Sequence, residues 1–428
     1  MTGKEFMYKK YKLKSGLNVI LSHMPAMESI SLGIWIGVGG RYEHKRYCGI
    51  SHLIEHMLFK GTTSKTANDL KESIEGVGGN FNGFTSEEVT CYLVKLPSAY
   101  MELGLDVLSD MVLNPELNPV ELEKEKHVIC EEIKMYMDQP AHQVLDILAE
   151  TMWPRHALGR PIAGYIDTVR RFKREDLKQF MQTYYHPSNI SIVAAGRLDH
   201  PKTLSLIRNM FSTPRKKGKS LYDLKEKIKK GNDIKIFRKN TKQTHVALGF
   251  HSVHRTHGLR YALTLLNIIL GGNMSSRLFE RLRERKALCY DISSSVKKYK
   301  ETGAFVIHAG VDNHKLLEAT SEMVNEIKNI KKEAVSEDEL YRAKEYFKGQ
   351  LLLALEDTAS RMLWLGDKIV IEGKAPSVRE IFKKIEKTNI EDIREASNII
   401  FGVKNMSFAT VGPARPKYKL KLRKTLGL

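Results

Sequence analysis

Two stretches of this chain echo each other at a nearly constant separation, and this limits the possible folds more than any other feature. Glu175-Asp176-Leu177 opens a helical pattern, Asn189-Ile190-Ser191-Ile192-Val193 follows with a strand pattern, and then comes Gly196. Glu391-Asp392-Ile393, Asn405-Met406-Ser407-Phe408-Ala409 and Gly412 repeat that order, with the Gly at the same distance from the Asp. A second echo pairs Asn118-Pro119-Val120-Glu121-Leu122 with Ser336-Glu337-Asp338-Glu339-Leu340, each a helix-capping signal ahead of a long helix. The step from Asp176 to Asp392 nearly equals the step from Asn118 to Ser336. A repeat at a fixed period is one structural unit used twice. Two similar domains follow, and the length of 428 residues agrees, since it exceeds what a single core usually covers.

The expected division is a first domain over 1–212, a linker over 213–232 and a second domain over 233–428. The linker carries Pro214, Gly218 and eight Lys or Arg. Each half mixes strand-like runs with long amphipathic helices. Ile30 to Val38, Val89 to Leu96 and Phe305 to Ala309 read as strands, and Leu103 to Leu113 and Lys315 to Ile330 as helices. Without a strict β-α-β rhythm, this favours an α+β class in which each domain is a largely antiparallel sheet with helices packed on one face.

The bulk properties exclude several functions. No apolar stretch approaches the ~20 residues of a membrane span, and the polar, basic Met1 to Lys14 lacks the apolar core of a secretory signal. A cytoplasmic protein is expected, unless a transit peptide has been removed. Cys48, Cys91, Cys130 and Cys289 are scattered and form no C-x-x-C pair, so they read as reduced thiols, mostly buried. The net charge of +19 raises nucleic-acid binding as a rival function, yet no nucleic-acid motif accompanies it and solvated basic faces account for it.

The chemistry concentrates in His52-Leu53-Ile54-Glu55-His56. On a helix, His52 and His56 at i and i+4 share a face, and Glu55 points to the same side. Two neutral imidazoles suit zinc, a nearby carboxylate suits a general base, and this order is the inverted form of His-Glu-x-x-His. The same pair could equally form a polar surface face. A catalytic zinc needs a third ligand, and the helix Glu121 to Met137 offers Glu125 and Glu132, two turns apart on one side. As an isolated helix, these acids could instead balance Lys124, Lys126 and Lys134. The second half has no such motif, and the step from Asn118 to Ser336, taken onward from Glu132, lands on Gln350.

The motif, with Glu132 on a later helix and Glu125 seven positions before it, resembles the pitrilysin-type peptidases. Within them it is most similar to the mitochondrial-processing-peptidase-like branch of bacteria and organelles. Gly49-Ile50-Ser51 before the motif, Met57-Leu58-Phe59-Lys60-Gly61-Thr62 after it and Glu131-Glu132-Ile133-Lys134-Met135-Tyr136 carry the same likeness. The resemblance implies a zinc endopeptidase with one Zn2+ per chain, held by His52, His56 and Glu132, with Glu55 as base and Glu125 as a supporting acid. It implies that Arg283 and Tyr290 act near the scissile carbonyl, and that Asn80, Phe81, Asn82 and Gly83 lie on an edge strand that binds substrate. Asn82-Gly83 replaces the family's Asn-Ala, which suggests a looser strand, and a β-turn is its rival. The expected partners are an unfolded peptide or presequence and a second subunit, in a homodimer or a paralogue heterodimer closing a clam-shell chamber. A non-catalytic assembly subunit is the main alternative, although such subunits have a broken motif and this one is complete.

Overall fold

The computed structural model describes residues 8–212, 233–414 and 417–428. The expected linker 213–232 lies outside the described residues. Six strands form the first sheet: β1 (Lys9–Lys12), β2 (Asn18–His23), β3 (Ser29–Ile36), β4 (Asn80–Thr85), β5 (Thr90–Pro97) and β6 (Ile190–Gly196). Five form the second: β7 (Ile234–Arg238), β8 (Gln243–Ser252), β9 (Cys289–Lys298), β10 (Gly303–Asp312) and β11 (Met406–Gly412). The helices of the first half are α1 (Ile50–Leu58), α2 (Ala67–Glu75), α3 (Met101–Leu113), α4 (Pro119–Asp138), α5 (Pro140–Met152), α6 (Ile166–Arg171), α7 (Arg174–Tyr184) and α8 (His200–Met210). Those of the second half are α9 (Arg260–Gly271), α10 (Leu316–Lys332), α11 (Glu337–Glu356), α12 (Thr358–Glu372), α13 (Val378–Lys387), α14 (Ile390–Ile400) and α15 (Tyr418–Leu426).

The strand orders, β1-β2-β6-β3-β5-β4 and β7-β11-β8-β10-β9, are one plan used twice with an extra strand on the first. In each sheet a single pair is parallel, β2 with β6 and β7 with β11, and every other pair is antiparallel. The echoes seen in sequence do matching local jobs. Asp176 accepts the backbone N–H of Lys173 at 2.8 Å ahead of α7, and Asp392 accepts that of Asn389 at 2.9 Å ahead of α14. Asn118 and Ser336 likewise accept backbone N–H groups at the starts of α4 and α11, two helices of 20 residues each.

Alternation along β3 explains the core of the first sheet. Ile30, Leu32, Ile34 and Ile36 face a layer that includes Leu53 and Met57 of α1, Leu105 and Leu108 of α3, and Leu177 and Phe180 of α7. Trp35 points the other way, where it meets Met362 and Leu365 of α12. The approach there is close enough that a Cβ at Gly366 would stand 2.1 Å from the Trp35 ring.

That helix departs from the expected domain division. Among the described residues the compact units are not consecutive in sequence: one comprises 8–133, 161–212 and 351–379, and the other 134–160, 233–350, 380–414 and 417–428. In the first unit α12 packs on β3 and β6, with Thr358 hydrogen-bonded to Ser31 at 2.9 Å. In the second unit α5 packs on β8 and β11 through Val144, Leu148 and Met152. Each sheet thus carries the expected helical layer on one face and, on the other, one helix from the opposite half of the sequence. No described helix is long and apolar enough to cross a membrane. All four cysteines are buried thiols outside any disulfide.

Candidate metal centre

The amphipathic pattern of α1 decides which side chains meet the core. Leu53, Ile54, Met57 and Leu58 are fully buried, leaving His52, Glu55 and His56 together on the half-buried face. α4 brings its own acids to that face. The Oε2 of Glu132 lies 3.9 Å from His52 Nε2 and 3.7 Å from His56 Nε2. His52, His56 and Glu132 can offer three donor atoms all within 4.8 Å of one another, and among the described residues they are the only such group.

This donor set fits zinc. A tetrahedral ion with bonds of about 2.0–2.1 Å holds its ligand atoms roughly 3.4 Å apart, so the side chains need only a small inward movement. Burial, with the neighbouring His56, pushes the pKa of His52 down to about 4, which keeps its ring neutral and able to ligate. The Nδ1 of His56 lies 3.0 Å from Glu125 Oε2. An ionised carboxylate only accepts, so Nδ1 carries a proton, and in the neutral ring Nε2 has the lone pair a metal needs. Burial lowers the pKa of His56, but the Glu125 bond and the charges of Glu125, Glu132 and Glu55 outweigh it and raise it. Glu125 also pairs with Lys60 at 2.7 Å. Burial alone would raise its pKa, but the hydrogen bonds to His56 and Lys60 outweigh burial and hold it below the usual carboxylate range.

Glu55 stands beside this cluster. Burial raises its pKa, opposed by a hydrogen bond from Thr85 Oγ1 to its Oε2 at 2.5 Å. Thr85 is the last residue of β4, the edge strand of the first sheet. Asn82-Gly83 is therefore part of a strand paired with β5, not the β-turn weighed as its rival. A Cβ at Gly83 would stand 3.0 Å from the Phe59 ring and 3.3 Å from Glu55 Cγ, so glycine lets the strand run close against the α1 face. Phe81 packs inward on Phe59 with ring centroids 4.7 Å apart, while Asn80 and Asn82 are exposed.

Arg283 and Tyr290 sit in the second unit, on a π-helical turn (Phe279–Arg285) and on β9. The two are neighbours, with the guanidinium 5.1 Å from the centre of the Tyr290 ring and 4.6 Å from that of Phe279. Tyr290 is 76% exposed. Arg277, by contrast, is bound through two hydrogen bonds of 2.8 Å to Glu339. Sequence reasoning missed the roles of Lys60 and Thr85, although both lie inside stretches quoted above or beside them. Their partners, Glu125 and Glu55, stand on other elements far along the chain, and no local pattern announces such pairs.

Comparison with known proteins places this geometry in a family. The description "Insulinase (Peptidase family M16)" matches residues 18–165, and "Peptidase M16 inactive domain" matches residues 171–347. An uncharacterized zinc protease of Bacillus subtilis is 35% identical over 408 residues, covering 95% of this chain and 99% of its own. The chain belongs to peptidase family M16. Another relative, an uncharacterized zinc protease of Rickettsia felis, is 34% identical over 94% of this chain and 97% of its own. Two solved structures share the M16 fold, each with a TM-score of 0.87. A protease from Helicobacter pylori, 22% identical, covers 96% of this chain and 100% of its own. A peptidase M16 inactive domain protein from Pseudomonas fluorescens, 18% identical, covers 95% and 98%. Within the M16 pattern, most of the segment matched as inactive lies in the half that lacks the His pair.

Proposed function

We propose that the protein is a zinc-dependent endopeptidase that cleaves extended peptides, unfolded chains or presequences. The observation that carries this reading is the meeting of His52, His56 and Glu132 beside Glu55, which is itself tied through Thr85 to the edge strand. Zinc, when bound, polarises the scissile carbonyl and makes water acidic near neutral pH. Glu55 accepts the proton of the attacking water and passes it to the leaving nitrogen. Thr85 occupies one oxygen of Glu55 and leaves the other for that proton. The open side of β4 adds the substrate backbone to the sheet, a mode of recognition that requires extended chain and tolerates many sequences. Metal analysis with a quenched-peptide assay tests this: about one zinc per chain and cleavage lost on chelation are expected, and cleavage indifferent to chelator would overturn it.

The proposal extends to a homodimer, or a paralogue heterodimer, with Arg283 and Tyr290 serving the zinc centre of the partner subunit. Their adjacency and the exposure of Tyr290 support a joint role as donors to a developing oxyanion. Mixing inactive Glu55→Gln protein with inactive Arg283→Ala protein, with subunit exchange, is expected to restore about a quarter of the wild-type sites, since half the dimers are mixed and each has one intact site. No recovery despite exchange shown by mass measurement would mean that Arg283 serves its own chain or none.

A further inference from the structure

The metal-binding helix starts without a capping side chain of its own. Its N-cap is Gly49, with φ of 94°, and a Cβ there would stand 2.6 Å from the carbonyl oxygen of Ala163. The first N–H groups of any helix lack partners within it, and a negative charge near them is favoured by the helix dipole. Here Glu43, only 1% exposed, supplies both. Its Oε2 accepts the N–H of Gly49 at 2.7 Å, and its Oε1 that of Ser51 at 2.8 Å. Ser51 directly precedes His52, so the carboxylate grips the helix beside the first imidazole.

The short turn that leads into Glu43 also grips the turn between the edge strand β4 and β5. The N–H of Gly40 bonds to Ser86 O at 3.1 Å and that of Arg41 to Glu87 O at 2.8 Å. The Arg41 guanidinium is ion-paired with Glu88, and both are largely buried. Residues 86–88 follow Thr85, whose hydroxyl holds Glu55. The contacts close a ring: Glu43 to the start of α1, α1 to Glu55, Glu55 to Thr85, the following residues to Arg41, and Arg41 back along the chain to Glu43.

We propose that Glu43 is a positioning residue that fixes α1 so its two histidines meet Glu132, and that Arg41 on the same turn fixes the strand presenting substrate to Glu55. This rests on the zinc-peptidase reading. It differs from simple stabilisation in assigning separate consequences to the two arms. Moving α1 disturbs ligands that lie on two helices, so metal hold and kcat suffer. Moving the β4–β5 turn disturbs backbone pairing with the peptide, so KM suffers.

The full-length zinc protein is compared with Glu43→Gln, Arg41→Gln and Ile74→Val, the last being a fully buried α2 position that serves as a stability control. Gln can accept only one of the two N–H groups, and its amide nitrogen faces the other. For Glu43→Gln, zinc affinity from chelator competition should weaken about 10- to 100-fold, with kcat falling by about 10-fold or more and KM nearly unchanged. Arg41→Gln should raise KM by about 10-fold while zinc affinity stays near wild type. In the zinc-free proteins, Glu43→Gln should speed hydrogen exchange at Gly49 to His56 and leave the strands of the first sheet protected. Wild-type zinc affinity and kcat in Glu43→Gln, or equal loss of zinc in Ile74→Val, would overturn the proposal. If the wild-type protein holds no zinc, the peptidase reading fails, whereas exchange in the zinc-free proteins still decides whether Glu43 holds α1. Should Glu43→Gln not fold, Glu43→Asp, which keeps the charge on a shorter arm, should show the same changes at smaller size, and wild-type values for it would overturn the proposal.

Discussion

Glu55→Gln is expected to retain zinc and to lose about 100- to 10,000-fold in kcat, the usual contribution of a general base. The substitution keeps the shape of the side chain and one oxygen, which can still accept the Thr85 hydroxyl that now lies 2.5 Å from Glu55. It removes the only property the reaction uses, a second oxygen with a free lone pair and negative charge. The ligand groups are separate side chains, so the metal need not follow. Burial raises the affinity of Glu55 for a proton, and the Thr85 hydroxyl opposes that rise. Purified variant protein, its zinc measured and its peptide cleavage compared with wild type, decides the matter. More than about a tenth of wild-type activity in zinc-loaded variant would show that Glu55 is not the base.

The centre was readable from sequence to the extent that it is local. His52, Glu55 and His56 lie within little more than one helical turn, and helical spacing alone puts them on one face. Glu125 and Glu132 share a face by the same rule, but that rule does not say which of them faces the Nε2 atoms of both histidines and which meets His56 Nδ1. The choice depends on how α4 lies against α1, a matter of packing between helices with α2, α3, β4 and β5 between them in the chain. The repeat was legible because its capping residues are also local: Asp176 holds the N–H of Lys173 and Asp392 that of Asn389. The exchange of α5 and α12 was not. Their apolar faces would suit either sheet by composition, and contacts that no local pattern announces hold α12 in its place, among them the close approach of Gly366 to the Trp35 indole and the bond of Thr358 to Ser31. The hold of Glu43 on Gly49 and Ser51 escaped for a different reason. A cap supplied from upstream of the helix, by a residue beyond its own N-cap, follows no capping-box spacing.

The distinct surroundings of the two acids on α4 yield a second large effect: Glu132→Gln should purify nearly free of zinc, whereas Glu125→Gln should keep most of its zinc and lose rate. Glu132 Oε2 stands within 3.9 Å of the Nε2 atoms of both histidines, so with them it would hold a bound ion. A neutral amide is a much poorer ligand for a dication, and two imidazoles alone leave the site short of the three ligands a catalytic zinc uses. Glu125 is placed behind His56. Its two oxygens are taken by His56 Nδ1 at 3.0 Å and Lys60 at 2.7 Å, so on the proposed reading it would orient a ligand without being one. In Glu125→Gln the amide oxygen can still accept the imidazole N–H, though the charge that makes His56 more basic is gone and Lys60 loses its partner. Groups in such positions are worth about 10- to 100-fold in metal affinity or activity. Zinc content after dialysis against metal-free buffer, measured beside kcat for both variants, separates the roles. Equal occupancy would contradict the assignment, and zinc lost from Glu125→Gln but kept by Glu132→Gln would exchange the two acids, making Glu125 the ligand despite its bond to His56.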